Sequence, residues 1–189
     1  PKPSSAASDV YKRQVCPSTT GGINWNSIAY SPQTNALYAP TNNVCMDYYL
    51  NPVNPTVGGY HSSAVSRKIS VPEGDEQIGI FSAVDVSSGE TLWSYKQRAA
   101  ITGSVLTTGG GLAFVTDDAR RLRAFDVDNG RILWEQILNS SAGGFPTTYS
   151  VDGTQYIAIA AGGGVSHRAL TPEIQQRRGG NTLFVFRLP

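Results

Sequence analysis

Ala83-Val84-Asp85-Val86-Ser87-Ser88-Gly89-Glu90-Thr91-Leu92-Trp93 and Ala124-Phe125-Asp126-Val127-Asp128-Asn129-Gly130-Arg131-Ile132-Leu133-Trp134 align without a gap. Ala, Asp, Gly and Trp stand at the same offsets in both stretches, and Trp93 and Trp134 are 41 residues apart. A period near 40 residues is that of a four-stranded propeller blade. The chemistry of each copy fits one hairpin. An Asp at the start of a turn accepts backbone N–H bonds, and the Gly supplies the positive φ that closes it. The terminal Trp is large enough to fill the wedge between neighbouring blades, and the small Ala suits a crowded position beneath a ring.

Working outward, short apolar alternations separated by turn residues mark further strands. They group into three blades, at about 25–97, 102–138 and 144–189. The first contains a long excursion, Asn42 to Gln77, rich in Pro, Gly, Ser and Tyr; a structureless loop of that length is unusual unless it is functional. The third has a second excursion, Gly162 to Gly180, and only three strands, so one edge needs a strand from elsewhere. The expected fold is all-β: a β-propeller domain over 15–189 with about three blades. Three blades cannot close a ring, which makes the chain a fragment on this reading. Pro1 to Gln14 is polar and aperiodic, and is set aside as a non-native or disordered tail.

Composition narrows the function classes. Of 189 residues, 40% are hydrophobic and only 15% charged, with 20 Gly and 11 Pro, which favours short strands and turns over long helices. Net charge is +1 with no basic stripe, so nucleic acid and anionic membrane are not implied as partners. No apolar run is long enough for a transmembrane helix, and no signal peptide is visible.

The block from Val15 to Tyr49 carries the most specific pattern: Cys16-Pro17-Ser18, Gly21-Gly22, Asn24-Trp25, Ala29-Tyr30-Ser31-Pro32 and Asn43-Val44-Cys45-Met46-Asp47. Its order and spacing resemble the methanol- and ethanol-type quinoprotein (PQQ-dependent) alcohol dehydrogenases. Gly103–Gly110, Tyr149–Ala161 and the closing Leu183–Pro189 extend the resemblance over nearly everything after Gln14. It implies the C-terminal part of an eight-bladed, periplasmic bacterial enzyme. Such an enzyme holds pyrroloquinoline quinone over the central channel beside Ca²⁺ or a lanthanide, and oxidises an alcohol to an aldehyde. Electrons would pass to a cytochrome c or a quinone. The catalytic base and metal ligands would lie upstream, in missing N-terminal blades, leaving this chain inactive alone.

The resemblance also suggests site residues. Asn24 matches a position that contacts the quinone, and an amide can donate to a quinone or carboxylate oxygen without adding charge; a turn role is its alternative. Trp25 either packs under the cofactor or joins the inter-blade core, the commoner fate of a tryptophan here. Gly162, Gly163 and Gly164 replace a Gly-Trp-Gly stretch, and their backbone N–H groups could approach a carboxylate-rich cofactor; a plain turn is the alternative. Thr102 stands where relatives carry another Trp, which implies a roomier pocket or a different alcohol. Cys16 and Cys45 fall where the family has a disulfide, consistent with an oxidising compartment. His61 and His167 read as surface residues, Asp85 and Asp126 as turn-formers, and Asp47, Asp117 and Asp118 as nothing specific. A non-catalytic propeller scaffold for protein interactions is the alternative function; it shares the Trp-ended repeat but not the Cys-to-Met block.

Overall fold

A computed structural model describes residues 13–18, 20–50, 57–59, 65–163, 167–175 and 180–188. Among them there is no helix. β1 is Arg13–Val15, β2 Ala29–Ser31, β3 Ala36–Asn42, β4 Cys45–Leu50, β5 Val65–Ser70, β6 Gly79–Asp85 and β7 Thr91–Gln97. β8 is Leu106–Thr107, β9 Leu112–Thr116, β10 Arg121–Asp126, β11 Ile132–Ile137, β12 Thr147–Val151, β13 Thr154–Ala161 and β14 Thr182–Arg187.

Three antiparallel sheets follow the repeat: β2-β3-β6-β7, β8-β9-β10-β11 and β12-β13-β14. Their first strands adjoin along one side. The Val105 N–H donates to the Ser27 carbonyl at 3.1 Å and the Ser104 N–H to the Gly144 carbonyl at 3.2 Å. The sheets therefore fan from a common side, as blades do. β9 and β10 are buried on both faces because the middle blade is sandwiched, whereas β3 and β6 alternate buried and half-buried residues.

The repeated turns form as their chemistry dictates. Asp85 Oδ1 accepts the Ser87 and Ser88 N–H groups at 2.9 and 2.7 Å, and Asp126 Oδ1 accepts the Asp128 N–H at 2.9 Å. Gly89 and Gly130 adopt φ of +74° and +71°. A core of Tyr38, Phe81, Ala83, Ile101, Val115 and Phe125 fills the first seam, with Trp93 against it. Phe114, Leu122, Ala124, Ile157 and Ile159 fill the second. Arg123 adds a buried polar tie, donating to Asp117 Oδ2 at 2.6 Å and to Gln97 Oε1 at 2.7 Å.

Two expectations change. The tail boundary moves back, because Arg13 and Gln14 belong to β1 and pair with Tyr48 and Asp47 of β4. The excursion after Asn42 is not structureless: β4 and β5 form a hairpin within it, and β1 completes a separate three-stranded sheet. His61 and Gly164 lie outside the described residues.

Candidate functional site

The Cys16–Cys45 disulfide, with Cα atoms 4.4 Å apart, pins the loop before the first blade to the start of β4. The Ser18 N–H donates to the Val44 carbonyl at 2.6 Å, and the Asn42 N–H to the Gly22 carbonyl at 2.8 Å. Gly21, at φ +76°, turns the loop between these anchors. The loop is thus fixed along the inner end of the first blade and presents Asn24, Trp25 and Asn26 to one side.

These residues line a cleft of about 1080 Å³ with Thr102, Gly143, Gly162, Gly163, His167 and Asn181. Segments more than a hundred residues apart thus meet at one wall. Trp25 is 74% exposed in this chain and lines the cleft. Asn24 is exposed beside it. Gly162 must be glycine: at φ +139°, an added Cβ would come within 2.2 Å of Asn181 Oδ1. Gly163 has ordinary space around it. The N–H groups of Gly162 and Gly163 do not point to a ligand, however. Both donate to the Ser141 carbonyl, at 3.0 and 3.1 Å, so these glycines contribute shape rather than donors.

Among the described residues, no Lys, Arg, Asp or Glu side chain lines the cleft. Its polar groups are hydroxyls, the amides of Asn24, Asn26, Asn42 and Asn181, and His167, whose burial holds its pKa below the ordinary value. His167 is therefore a half-buried cleft residue, not a surface one. Its carbonyl accepts the Leu170 N–H at 2.9 Å. Arg98 straps down the following segment, donating to Glu173 Oε1 at 2.8 Å and to the Leu170 carbonyl.

Asp118 is the residue that sequence reasoning passed over. It is fully buried, and its Oδ1 accepts the Thr102 hydroxyl at 2.9 Å. Burial pushes its carboxyl up to about 7; the bond from Thr102 opposes this, Asp117 adds to the rise, and a backbone hydrogen bond from His167 opposes it. The one available signal was two adjacent acids closing an apolar strand, Leu112 to Thr116. Asp117 explains itself through Arg123 and the Arg121 N–H; Asp118 does not. Among the described residues no group of three or more His, Cys, Asp or Glu could hold a metal ion.

Residues 77–157 match the PQQ family model described as glucose/ethanol/alcohol dehydrogenase, beta-propeller domain. The chain is 33% identical to the 1-butanol dehydrogenase (quinone) of Thauera butanivorans over 196 residues, covering 100% of this chain and 30% of that enzyme. It is 34% identical to the lanthanide-dependent methanol dehydrogenase of Methylacidiphilum fumariolicum, covering 79% of this chain and 25% of that enzyme. Among solved structures, quinohemoprotein alcohol dehydrogenase from Comamonas testosteroni superposes with a TM-score of 0.78 at 27% identity, over 97% of this chain and 28% of that one. A europium-containing methanol dehydrogenase gives 0.75 at 29% identity, over 85% of this chain and 28% of that one. The chain thus spans less than a third of the length of these relatives. The blade repeat, the Cys-to-Met block and the shared architecture agree, and the chain belongs to the quinoprotein alcohol dehydrogenase family of β-propellers.

Proposed function

We propose that this chain supplies one wall of the cofactor cleft of a PQQ-dependent dehydrogenase that oxidises an alcohol to an aldehyde. The observation that carries the reading is the meeting of Asn24 and Trp25 with Gly162 and Gly163 on one cleft that, among the described residues, has no charged side chain. The donor set fits a flat, oxygen-rich ring. Trp25 offers a ring face, amides donate to carbonyl or carboxylate oxygens, and the glycine corner leaves room for close approach. Bound there, the quinone supplies a two-electron acceptor for hydride.

The chain's own residues bind and orient. Asn24 and Asn181 direct N–H groups without adding charge, and the disulfide holds the loop that carries Asn24 and Trp25 in place. On this reading the base, the Ca²⁺ or lanthanide ligands and the cations that face the cofactor's carboxylates belong to blades outside this chain. The chain alone is then inactive. The relatives' names support electron transfer to a cytochrome c or a quinone, and a periplasmic enzyme is consistent with the disulfide.

Titrating pyrroloquinoline quinone into the chain, with tryptophan fluorescence as the signal, tests the wall directly. Saturable quenching is expected, with affinity falling about tenfold in Asn24→Ala. Reducing the disulfide costs on the order of 3 kcal/mol of stability in the chain-entropy model and should abolish the quenching. Joining the upstream part of the Thauera enzyme to residues 13–189, then adding quinone and Ca²⁺, should restore butanol-dependent dye reduction that the chain alone lacks. Absence of binding, together with a folded but inactive fusion, would leave the propeller as a protein-interaction scaffold.

A further inference from the structure

Thr102 sits between β7 and β8 and is held from two sides. Its carbonyl accepts the Asn26 side-chain amide, and its hydroxyl donates to Asp118 Oδ1 at 2.9 Å. Both Thr102 and Asn26 line the cleft. A hydroxyl carries one proton and two lone pairs. With that proton committed inward, Thr102 can only accept from the cleft.

The fold does not need Asp118 for its hairpin. Asp117 already closes that turn, accepting the Arg121 N–H at 2.9 Å and pairing with Arg123. Asp118 is 0% exposed, yet its Oδ2 has no hydrogen-bond partner among the described residues. An idle buried carboxyl oxygen is costly, and an apolar residue would fill the space more cheaply. What Asp118 does achieve is to fix the Thr102 hydroxyl and to take a backbone hydrogen bond from His167, so it holds two residues of the cleft wall.

We propose that Thr102 is a hydrogen-bond acceptor on the cleft wall for the pyrrole N–H of the quinone, with Asp118 as the positioning residue that holds it in that role. This rests on the cleft being the quinone site. The quinone oxygens, carboxylates and pyridine nitrogen of that cofactor all accept, and the pyrrole N–H is its one standing donor. An acceptor on a wall otherwise rich in amide donors therefore reads one edge of the ring and sets its orientation. The titratable and charged neighbours of Asp118 are Asp117, paired with Arg123, and His167, whose backbone bonds the carboxylate and whose imidazole burial holds below its ordinary pKa. Ionisation of Asp118 would set a negative charge behind a wall that faces a polycarboxylate.

The test is quinone titration of the full 189-residue chain, read by fluorescence and by the absorption spectrum of the bound quinone. Thr102→Val should weaken binding about tenfold, Thr102→Ser should restore it, and Asp118→Leu should match the valine variant. Asp118→Asn, which still accepts from Thr102, should bind as the wild type does below pH 7. Wild-type affinity should fall severalfold as pH rises through about 7, and Asp118→Asn should remove that dependence. Unchanged affinity in Thr102→Val overturns the proposal, as does a Thr102→Ser variant no better than valine. Wild-type affinity in Asp118→Leu overturns the positioning role. Failure of the wild type to bind quinone overturns the cleft reading and this proposal with it, an outcome distinct from equal binding by all variants.

Discussion

The two copies of the repeated turn are nearly the same in sequence and opposite in surroundings. In the second copy, the Asp126–Gly130 turn lies on Trp93 of the preceding blade. The Trp93 indole N–H donates to the Val127 carbonyl at 2.9 Å, and its ring stacks on Phe125 at 6.4 Å. A Cβ on Gly130 would meet that ring at 2.5 Å. In the first copy, Gly89 has open space where Gly130 has the indole. Trp134, the counterpart of Trp93, is 37% exposed and meets Phe186 edge-on at 5.2 Å, beside an apolar cleft of about 510 Å³. The local turn is therefore self-sufficient, but the motif's Trp and Gly become a seam only when one blade's ring lies under the next blade's turn. The repeat encodes an interface as much as a hairpin.

The largest effect should fall on the covered ring. Trp93→Ala should cost about 3 kcal/mol in urea unfolding, the low end for truncating a core aromatic, because the ring is half-buried but packed against Tyr38, Phe81 and Phe125. Trp134→Ala should cost about 1–2 kcal/mol, because only part of the ring is buried. Equal costs would break the comparison. Gly130→Ala comes next, at about 3 kcal/mol, combining a positive φ with overlap on the indole. In a Trp93→Ala background it should fall to about 1–2 kcal/mol, the conformational part alone. Gly89→Ala should cost that smaller amount in either background. A Gly130 effect that does not depend on Trp93 would show that the contact carries no coupling.

The fold was legible because its signals are local and repeated. Asp85, Gly89, Asp126 and Gly130 form their turns from residues within five positions, so spacing alone revealed them. The candidate site came only through a resemblance: it led to Asn24, Trp25, Gly162 and Gly163, which line one cleft. Local pattern could not find Asp118, whose meaning comes from Thr102, sixteen residues earlier in the chain. Nor could it place His167, which reaches the cleft because Arg98 ties its segment down.

The smallest effect concerns the first turn as an isolated unit. Hydrogen bonds from the Ser88 N–H and hydroxyl, and from the Ser87 N–H, hold the Asp85 carboxyl below its usual value. These bonds favour the ionised form in the folded chain. Their contribution is present above the unfolded carboxyl's ordinary range, near pH 4, and is lost as pH falls through the lower folded value. The group lies in solvent, so the effect should be modest and screened by salt. Comparing the pH dependence of stability between about pH 5 and pH 2, Asp85→Ala should remove a shallow acid-side slope and leave the neutral-pH seam untouched. Trp93→Ala should do the reverse, lowering the whole curve without changing its slope. If Asp85→Ala lowered stability as much as Trp93→Ala at neutral pH, the turn would depend on more than its own hydrogen bonds, and the contrast between a self-sufficient hairpin and a shared seam would fail.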